Sequence, residues 1–319
     1  MMNSTQELFA LLTISLKNRE SWLAIVESAL YLTVILTAFL GNSLFILAFS
    51  NTPSLRSPQN FYLVSLAIAD ILNAVVCMPI TLAVSIKGKW DFSDVICQLQ
   101  GSLISVFSTV SLLTLCMIAI NRFVKITRSA PLYSRLFSKG NVLCSIALSW
   151  IVTVFLNYSA YFVSKTVHYF HPGKCLCFVT IYLKDKLGIY SAILYSIVVS
   201  VSFNPIVFSY YKVLRKIRAH FVQVRSSSFR DDDNTVAFAE EVKITTMLFA
   251  TILAFFICWT PSVIIDFYEV IAGYYKLPRQ VYMLNIFTYA SSSAINPIIY
   301  GFMRREFKEG YKRALCFKS

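Results

Sequence analysis

Long stretches without a charged residue alternate with short charged segments along most of the chain. Seven of these stretches reach the length of about 20 residues that a helix needs to cross a bilayer. They cover residues 28–55, 57–86, 95–121, 140–164, 187–211, 244–265 and 280–303. The second stretch contains one acid, Asp70. Strands of a membrane barrel would be about 10 residues long with alternating polarity, so the pattern predicts an all-α membrane protein, a bundle of seven transmembrane helices.

Composition agrees with a membrane protein and excludes several soluble classes. Of the 319 residues, 57% are hydrophobic and 14% are charged, whereas soluble globular proteins are about one quarter charged. The few charges, with 9 Gly and 9 Pro, also exclude disorder, collagen and coiled coil. The first ten residues lack the basic start and the cleavage site of a signal peptide. We therefore expect the first span to act as the insertion signal.

The net charge of +13 is distributed unevenly between the two sides of the predicted bundle. Of the 29 Lys and Arg residues, 19 lie on the side opposite the N-terminus and 10 lie on the N-terminal side. Basic loops stay in the cytoplasm, so we expect an extracellular N-terminus and a multi-pass protein of the plasma membrane. Nucleic-acid binding is not indicated, because the basic residues are spread over separate loops.

Three regions follow from this topology. We predict an extracellular N-terminal tail at 1–25, the seven-helix bundle at 26–303, and a cytoplasmic segment at 304–319 that begins as a short amphipathic eighth helix. Asn3 starts an Asn-Ser-Thr sequon in the tail and is a predicted glycosylation site. Cys316 follows the basic segment and is a candidate for palmitoylation, with a free thiol as the alternative.

Residues that are unusual in membrane helices stand at fixed places in six of the spans. They are Gly41-Asn42, Leu66–Asp70, Asn121-Arg122-Phe123, Trp150, Phe255 with Cys258–Pro261, and Asn296-Pro297-Ile298-Ile299-Tyr300. This set, in this order, resembles the rhodopsin-like (class A) G-protein-coupled receptors from about residue 26 to 316. A smaller stretch, Asn121-Arg122 with Arg128–Lys139, is similar to melatonin receptors.

The resemblance implies a receptor that transmits the binding of an extracellular ligand to a heterotrimeric G protein by rearranging its helices. The ligand would be a small molecule, a lipid or a short peptide, and arrestin, receptor kinase and membrane lipid are further expected partners. A membrane transporter or channel is the alternative, but such proteins often carry internal repeats and several mid-membrane charges. An enzyme is not expected, because the spans contain no paired Asp and no His/Glu metal set.

Asp70 is a functional candidate because a carboxylate at mid-membrane is costly unless it faces a polar cavity. The resemblance implies a polar network of Asp70 with Asn42, Ser111 and Asn296, which holds a sodium ion. The alternative is a protonated Asp70 within a structural hydrogen-bond network. No other cofactor is expected.

The resemblance also implies an activation switch, in which Arg122 is tied to Glu241 at rest. Asn121 stands where the family has an acid, and an amide cannot form an ion pair, so the restraint on Arg122 would rest on Glu241. The other implied switch residues are Phe255, Trp259, Pro261, Pro297, Tyr300 and Tyr211. Tyr211 fits by its place before Lys212, but Pro205 then falls two residues later than in the family, and Tyr210 is open as a partner in this role.

The loop between spans four and five carries the expected disulfide partner of Cys97. The resemblance implies one bridge, to Cys177 or to Cys175, and we expect Cys177. With His168 and His171, these two cysteines have a spacing that by itself suggests zinc, although the bridge would leave only three ligands.

Absences narrow the expected ligand. Ile104 stands where aminergic receptors have an Asp, and Ala290 stands where opsins have their retinal-binding lysine. The predicted ligand pocket consists of Ile104, Ser108, Phe178, Trp259, Asp266 and Ile286. Asp266 and Glu269, one turn apart, would either attract a cationic ligand group or form a solvated helix end.

Overall fold

The computed structural model describes residues 4–179, 186–226 and 232–315. Within these residues the chain forms eleven α-helices and one antiparallel hairpin. The helices are α1 (Ser4–Lys17), α2 (Ser21–Asn51), α3 (Asn60–Leu72), α4 (Met78–Lys87), α5 (Asp94–Thr127), α6 (Ala130–Leu136), α7 (Lys139–Ser159), α8 (Lys186–Ser226), α9 (Asp232–Ala272), α10 (Arg279–Met303) and α11 (Arg305–Leu315). The strands are β1 (His168–His171) and β2 (Leu176–Val179). Asn3 and Cys316 lie outside the described residues, so their predicted modifications stay predictions.

Among the described residues, six helical segments are long and apolar enough to cross a membrane. They are Ser21–Asn51, Asn60–Lys87, Asp94–Thr127, Lys139–Phe162, Lys186–His220 and Phe238–Ala272. The second of them joins α3 to α4 through a π turn, Asn73–Cys77. The remaining predicted span is α10, which is less apolar because it carries two asparagines and several serines. It packs against α9 and α2 and completes the predicted seven-helix bundle.

Close packing joins the helices across the middle of the bundle. Gly41 of α2 faces Pro297 of α10, where a Cβ on residue 41 would lie 2.7 Å from the proline Cγ. A glycine is therefore required for this approach, since neither the helix backbone nor the proline ring can yield. Trp150 of α7 is half-buried and donates from Nε1 to the Ser65 hydroxyl of α3 at 3.0 Å, which satisfies the indole N–H.

Residues 4–17, which lie within the predicted N-terminal tail, form a helix that packs on the bundle. Leu12 and Leu16 of α1 are buried, and Leu12 belongs to an apolar cluster with Tyr274 and Tyr282. Two signals in the sequence indicate this helix. Ser4 precedes Glu7 by three residues, which is a capping-box pattern, and the leucines at 8, 12 and 16 repeat every four residues.

The predicted eighth helix is α11. Its apolar side, with Phe307, Gly310 and Ala314, is buried against α2. The Phe307 ring lies 5.5 Å from Phe45 and 5.8 Å from Tyr300, between ring centroids. The bundle thus has two ends, named here the disulfide end, with α1 and the hairpin, and the Arg122 end, with α6 and α11.

Candidate functional site

A β-hairpin closes the disulfide end of the bundle and is bonded covalently to α5. Cys97 and Cys177 form the disulfide, with an S–S distance of 1.98 Å, so Cys177 is the partner of the two candidates. Cys175 is a buried free thiol. The bridge removes Cys177 from the His and Cys side chains whose spacing suggests zinc. Among the described residues, no group of three or more His, Cys, Asp or Glu side chains is placed to hold a metal.

Two glutamines of α5 fix the hairpin above the cavity. The Gln98 Oε1 atom accepts from the backbone N–H groups of residues 167 and 168, each at 3.0 Å. The Gln100 Oε1 atom accepts from the Cys177 N–H at 3.0 Å. His168 packs on Gly101, where a Cβ would lie 2.3 Å from the imidazole Cδ2. These contacts set the position of the hairpin as the roof of the cavity beneath it.

The main cavity has a volume of about 250 Å³ and lies beneath the hairpin. Of the six predicted pocket residues, Ile104, Ser108, Phe178 and Trp259 line it. Among the described residues that line it, none is Asp, Glu, Lys or Arg. The hydroxyls of Ser105 and Ser108 donate their protons to carbonyls one turn earlier on α5. Toward the cavity, these two oxygens can therefore accept hydrogen bonds.

The other two predicted pocket residues, Asp266 and Ile286, line a separate cavity of about 40 Å³. Ile104, Phe178 and Trp259 border both cavities. The six predicted pocket residues therefore lie on two adjoining cavities that share three side chains.

Both acids on α9 have a partner within the chain, and Asp266 is also partly exposed beside the cavity of about 40 Å³. Lys174 of the hairpin turn donates to Asp266 Oδ1 at 2.8 Å and to Glu269 Oε2 at 2.9 Å. Glu269 is 1% exposed and also lies 3.0 Å from the Nε2 atom of His171. Lys174 of the hairpin therefore balances one of the two carboxylate charges.

Burial sets the protonation of the loop histidines. Burial lowers the pKa of His168 to about 4, and burial likewise lowers the pKa of His171, although Glu269 acts in the opposite direction. For Lys174, burial lowers the pKa, but the two carboxylates outweigh it, so the pKa is raised overall. At neutral pH the hairpin therefore carries two neutral imidazoles and one ammonium.

Acidification is expected to lower the stability of the folded chain through protonation of His168 in the unfolded chain. The pKa of His168 is about 4 in the folded chain and about 6.5 in an unfolded chain. Below pH 6.5 the unfolded chain takes up a proton that the folded chain does not, so stability falls from about pH 6.5 down to about pH 4 and is unaffected above that range. At pH 5 the loss is on the order of 2 kcal/mol.

The measurement is the melting temperature of the purified protein between pH 7.5 and pH 5. The variant His168→Gln keeps a polar side chain but cannot titrate, so it should show a smaller decrease than the wild type. An equal decrease in the two proteins would contradict the assignment to His168.

A small polar cavity surrounds Asp70 in the middle of the bundle. Its volume is about 10 Å³, about one water-sized sphere, and Ser111, Ser293 and Asn296 also line it. The Asn296 amide donates to Asp70 Oδ2 at 2.9 Å. Asn42, predicted as a direct neighbour of Asp70, instead donates to the carbonyls of residues 38 and 293 and does not line this cavity.

At the Arg122 end, α5 is tied to α9 by an ion pair. Arg122 is fully buried and its Nη1 atom lies 3.1 Å from Glu241 Oε2. The Arg122 Nη2 atom donates to the Asn121 amide oxygen at 2.9 Å. Lys125, one turn further along α5, lies 3.5 Å from the other Glu241 oxygen. The predicted pair is therefore present, with Lys125 as an additional cation.

Aromatic side chains of α9 contact one another and α10 beside the main cavity. The Trp259 ring stacks on Phe255 with a centroid distance of 5.5 Å and meets Tyr289 edge-on at 5.1 Å. Both α9 rings line the main cavity. Pro261 and Pro297 lie within α9 and α10, where each removes a backbone hydrogen bond.

The prediction of Tyr211 as the tyrosine that faces the bundle from α8 is wrong. Its side chain is 56% exposed and points away from the bundle core. Tyr210 is buried, and its ring centroid lies 4.9 Å from that of Phe249 on α9. The helix is turned so that Tyr210 faces inward, and counting from Lys212 was not sufficient to choose between adjacent residues. Tyr300 of α10 is buried on the same side of the core and packs on Phe45 at 5.2 Å.

Sequence reasoning missed two buried ion clusters at the disulfide end. One is the Lys174 cluster, and the other is Arg279 of α10, which pairs with both carboxylate oxygens of Glu27 at 2.7 and 2.9 Å. Arg19 lies 3.8 Å from Glu27. Charges of opposite sign at the margins of the spans indicated that ion pairs could form. The sequence does not show which span ends meet, because the spans are far apart along the chain.

Comparisons with known proteins agree with this architecture. The family described as 7 transmembrane receptor (rhodopsin family) matches residues 41–300. Melatonin receptor type 1C of Xenopus laevis is 26% identical over 91% of this chain and 68% of its own length. Melatonin receptor type 1A of Ovis aries is 27% identical over 93% of this chain and 79% of its own. The crystal structure of squid rhodopsin has a TM-score of 0.81 at 18% identity, over 94% of this chain and 86% of that one. The chain belongs to the rhodopsin family of seven-transmembrane receptors.

Proposed function

We propose that this receptor binds a small, uncharged and largely apolar ligand in the main cavity and transmits the binding to a heterotrimeric G protein at the Arg122 end. The observation that carries the proposal is the cavity of about 250 Å³, whose lining contains no Asp, Glu, Lys or Arg in the part of the chain that the structure describes. Phe255 and Trp259 of α9 also border this cavity. The same helix carries Glu241 at its other end.

The chemistry of the cavity supports an uncharged ligand. A charged ligand group buried without a partner is costly, and the described residues around the cavity include no Asp, Glu, Lys or Arg that could pair with it. His168 lines it and is neutral at physiological pH, because burial holds its pKa at about 4. The polar groups present, including Ser105, Ser108 and Asn157, suit a ligand with a few hydrogen-bonding atoms. Apolar contacts would then provide most of the affinity.

Transmission would occur through α9. A ligand that displaces Trp259 also moves Phe255, because the two rings are stacked. Pro261 allows the helix to bend at this level, and a bend would separate Glu241 from Arg122. The cleft between α5 and α9 would then accept a helix of the G protein, and arrestin and a receptor kinase would use the same end.

We also propose that the disulfide end is extracellular and that the receptor resides in the plasma membrane. Disulfides persist in oxidising compartments, and the excess of Lys and Arg lies at the opposite end. The cation Na⁺ fits the Asp70 cavity, because the space is about the size of one water and no Lys or Arg among the described residues pairs with Asp70. Asp70 would hold the ion with Ser111 and Asn296, and the ion would balance the carboxylate charge.

The ligand site is tested with a library of uncharged small molecules and the melting temperature of the purified receptor. Compounds that stabilise the wild type should lose this effect in Ser105→Phe, because the new ring occupies the main cavity. The matched control is Leu99→Phe, on the same helix at an exposed position, which should keep the stabilisation. Compounds that stabilise Ser105→Phe as well as the wild type would place the ligand elsewhere.

A further inference from the structure

We propose that the acids near the disulfide end of α9 form a binding site for a primary ammonium group, and that the receptor fills this site with its own Lys174. The site lies beside the main cavity, whose described lining residues include no Asp, Glu, Lys or Arg. Lys174 would thereby hold the hairpin to α9. Cationic ligands could not bind at the two acids while Lys174 occupies the site.

The contacts of Lys174 are those that recognise an ammonium ion. Its Nζ atom donates to Asp266 Oδ1 at 2.8 Å and to Glu269 Oε2 at 2.9 Å. It also lies 5.4 Å from the ring centroid of Phe178 and 5.9 Å from that of Tyr282. Two charge-assisted hydrogen bonds and two aromatic rings within 6 Å form a cation site.

The surrounding hydrogen bonds fix Glu269 in its charged, accepting form. The Tyr282 hydroxyl donates to Glu269 Oε1 at 2.8 Å. The backbone N–H of Lys174 donates to His171 Nδ1 at 3.2 Å, so that nitrogen is the acceptor and Nε2 carries the proton that faces Glu269 Oε1 at 3.0 Å. With His171 neutral, two carboxylates face one ammonium, so the cluster attracts a cation even more strongly when Lys174 is removed.

The hairpin holds Lys174 in place before any ligand arrives. The residue lies in the turn between β1 and β2, and the disulfide at Cys177 anchors the hairpin to α5. Gly173 allows the turn to rest on Tyr282, because a Cβ there would lie 2.4 Å from the ring Cδ2 atom. A tethered group has a high effective concentration at its site, so a free amine in solution competes poorly with Lys174.

The site has free space beside the ammonium. The 40 Å³ cavity is lined by Lys174 and Asp266 and also by Ser262, Asn285 and Ile286. A variant that lacks the lysine side chain would enlarge this space and leave both carboxylates without their cation. This makes the proposal testable by chemical rescue.

The experiment replaces Lys174 with Ala and supplies the missing atoms as n-propylammonium, which has the three carbons and the nitrogen that the substitution removes. Lys174→Ala should melt at least ~5 °C below the wild type and show about threefold higher ligand-free nucleotide exchange. Millimolar n-propylammonium should recover much of the melting temperature in the variant and leave the wild type unchanged. The uncharged alcohol 1-butanol, which is one carbon longer, should not recover the melting temperature.

The control variant is Lys276→Ala, an exposed lysine at the same end of the bundle, which should behave as the wild type with either additive. Equal effects of n-propylammonium and 1-butanol on Lys174→Ala, or no effect of either, would overturn the proposal. Because the melting temperature does not depend on a G protein, an absence of nucleotide exchange would count against the proposed function and not against the ammonium site.

If Lys174→Ala does not yield folded protein, Lys174→Met keeps the apolar stem and removes only the charge. Its loss of stability should be partly reversed by adding Glu269→Gln, since the double variant no longer buries an unpaired carboxylate. Additive losses in the double variant would overturn the proposal.

Discussion

Replacing Glu241 with Gln is expected to raise ligand-free nucleotide exchange about fivefold. Glu241 is the acid that joins Arg122 and Lys125 of α5 to α9, and Asn121 supplies no negative charge that could substitute for it. A loss of about 1 kcal/mol from the closed arrangement changes the ratio of the two arrangements about fivefold. Gln keeps the size of the side chain and removes its charge, so a change in ligand-free nucleotide exchange can be attributed to loss of the ion pair.

The measurement is basal signalling at matched surface expression. Glu240→Gln is the matched control, because Glu240 is the adjacent acid but pairs with the exposed Lys243 and does not reach α5. Basal signalling in Glu241→Gln that equals the wild type, or an equal rise in Glu240→Gln, would contradict the role of this ion pair.

Replacing Cys177 with Ser is expected to have the largest effect on stability and on ligand binding. The bridge to Cys97 closes a loop of 80 residues, and a disulfide of this kind contributes about 2–4 kcal/mol. The hairpin that it anchors forms the roof of the main cavity and positions Lys174. We therefore expect a decrease of at least ~5 °C in melting temperature and loss of ligand-dependent stabilisation.

Cys175→Ser is the control for this prediction, since Cys175 is two residues away, buried and unbridged. It removes one sulfur from the same hairpin and should change the melting temperature much less. A Cys175→Ser variant that is as unstable as Cys177→Ser would show that burial of the thiol and not the bridge is responsible.

Much of the fold was predictable from sequence because a membrane imposes a simple rule on composition. Charges are excluded from the spans, so their absence locates the helices, including α10, which is less apolar but equally free of Asp, Glu, Lys and Arg between residues 280 and 303. The pair of Arg122 and Glu241 followed from a family resemblance, and the structure brings the two side chains into contact.

The remaining errors have a common physical cause. Tyr210 and Tyr211 are adjacent, and a rotation of α8 about its axis by one residue decides which one faces the core. Asp266 and Glu269 were treated as free because their partner, Lys174, is about 90 residues away and meets them only after the hairpin folds over the bundle. Contacts between segments that are distant in sequence depend on the tertiary arrangement. The spacing of residues along one helix does not reveal that arrangement.

The most direct test of the central claim is guanine-nucleotide exchange on a panel of purified heterotrimeric G proteins by the reconstituted receptor. We expect at least one G protein to exchange nucleotide faster with the wild type than with empty membranes, and faster still with Glu241→Gln. No acceleration of exchange on any G protein of the panel, by either the wild type or Glu241→Gln, would contradict the account.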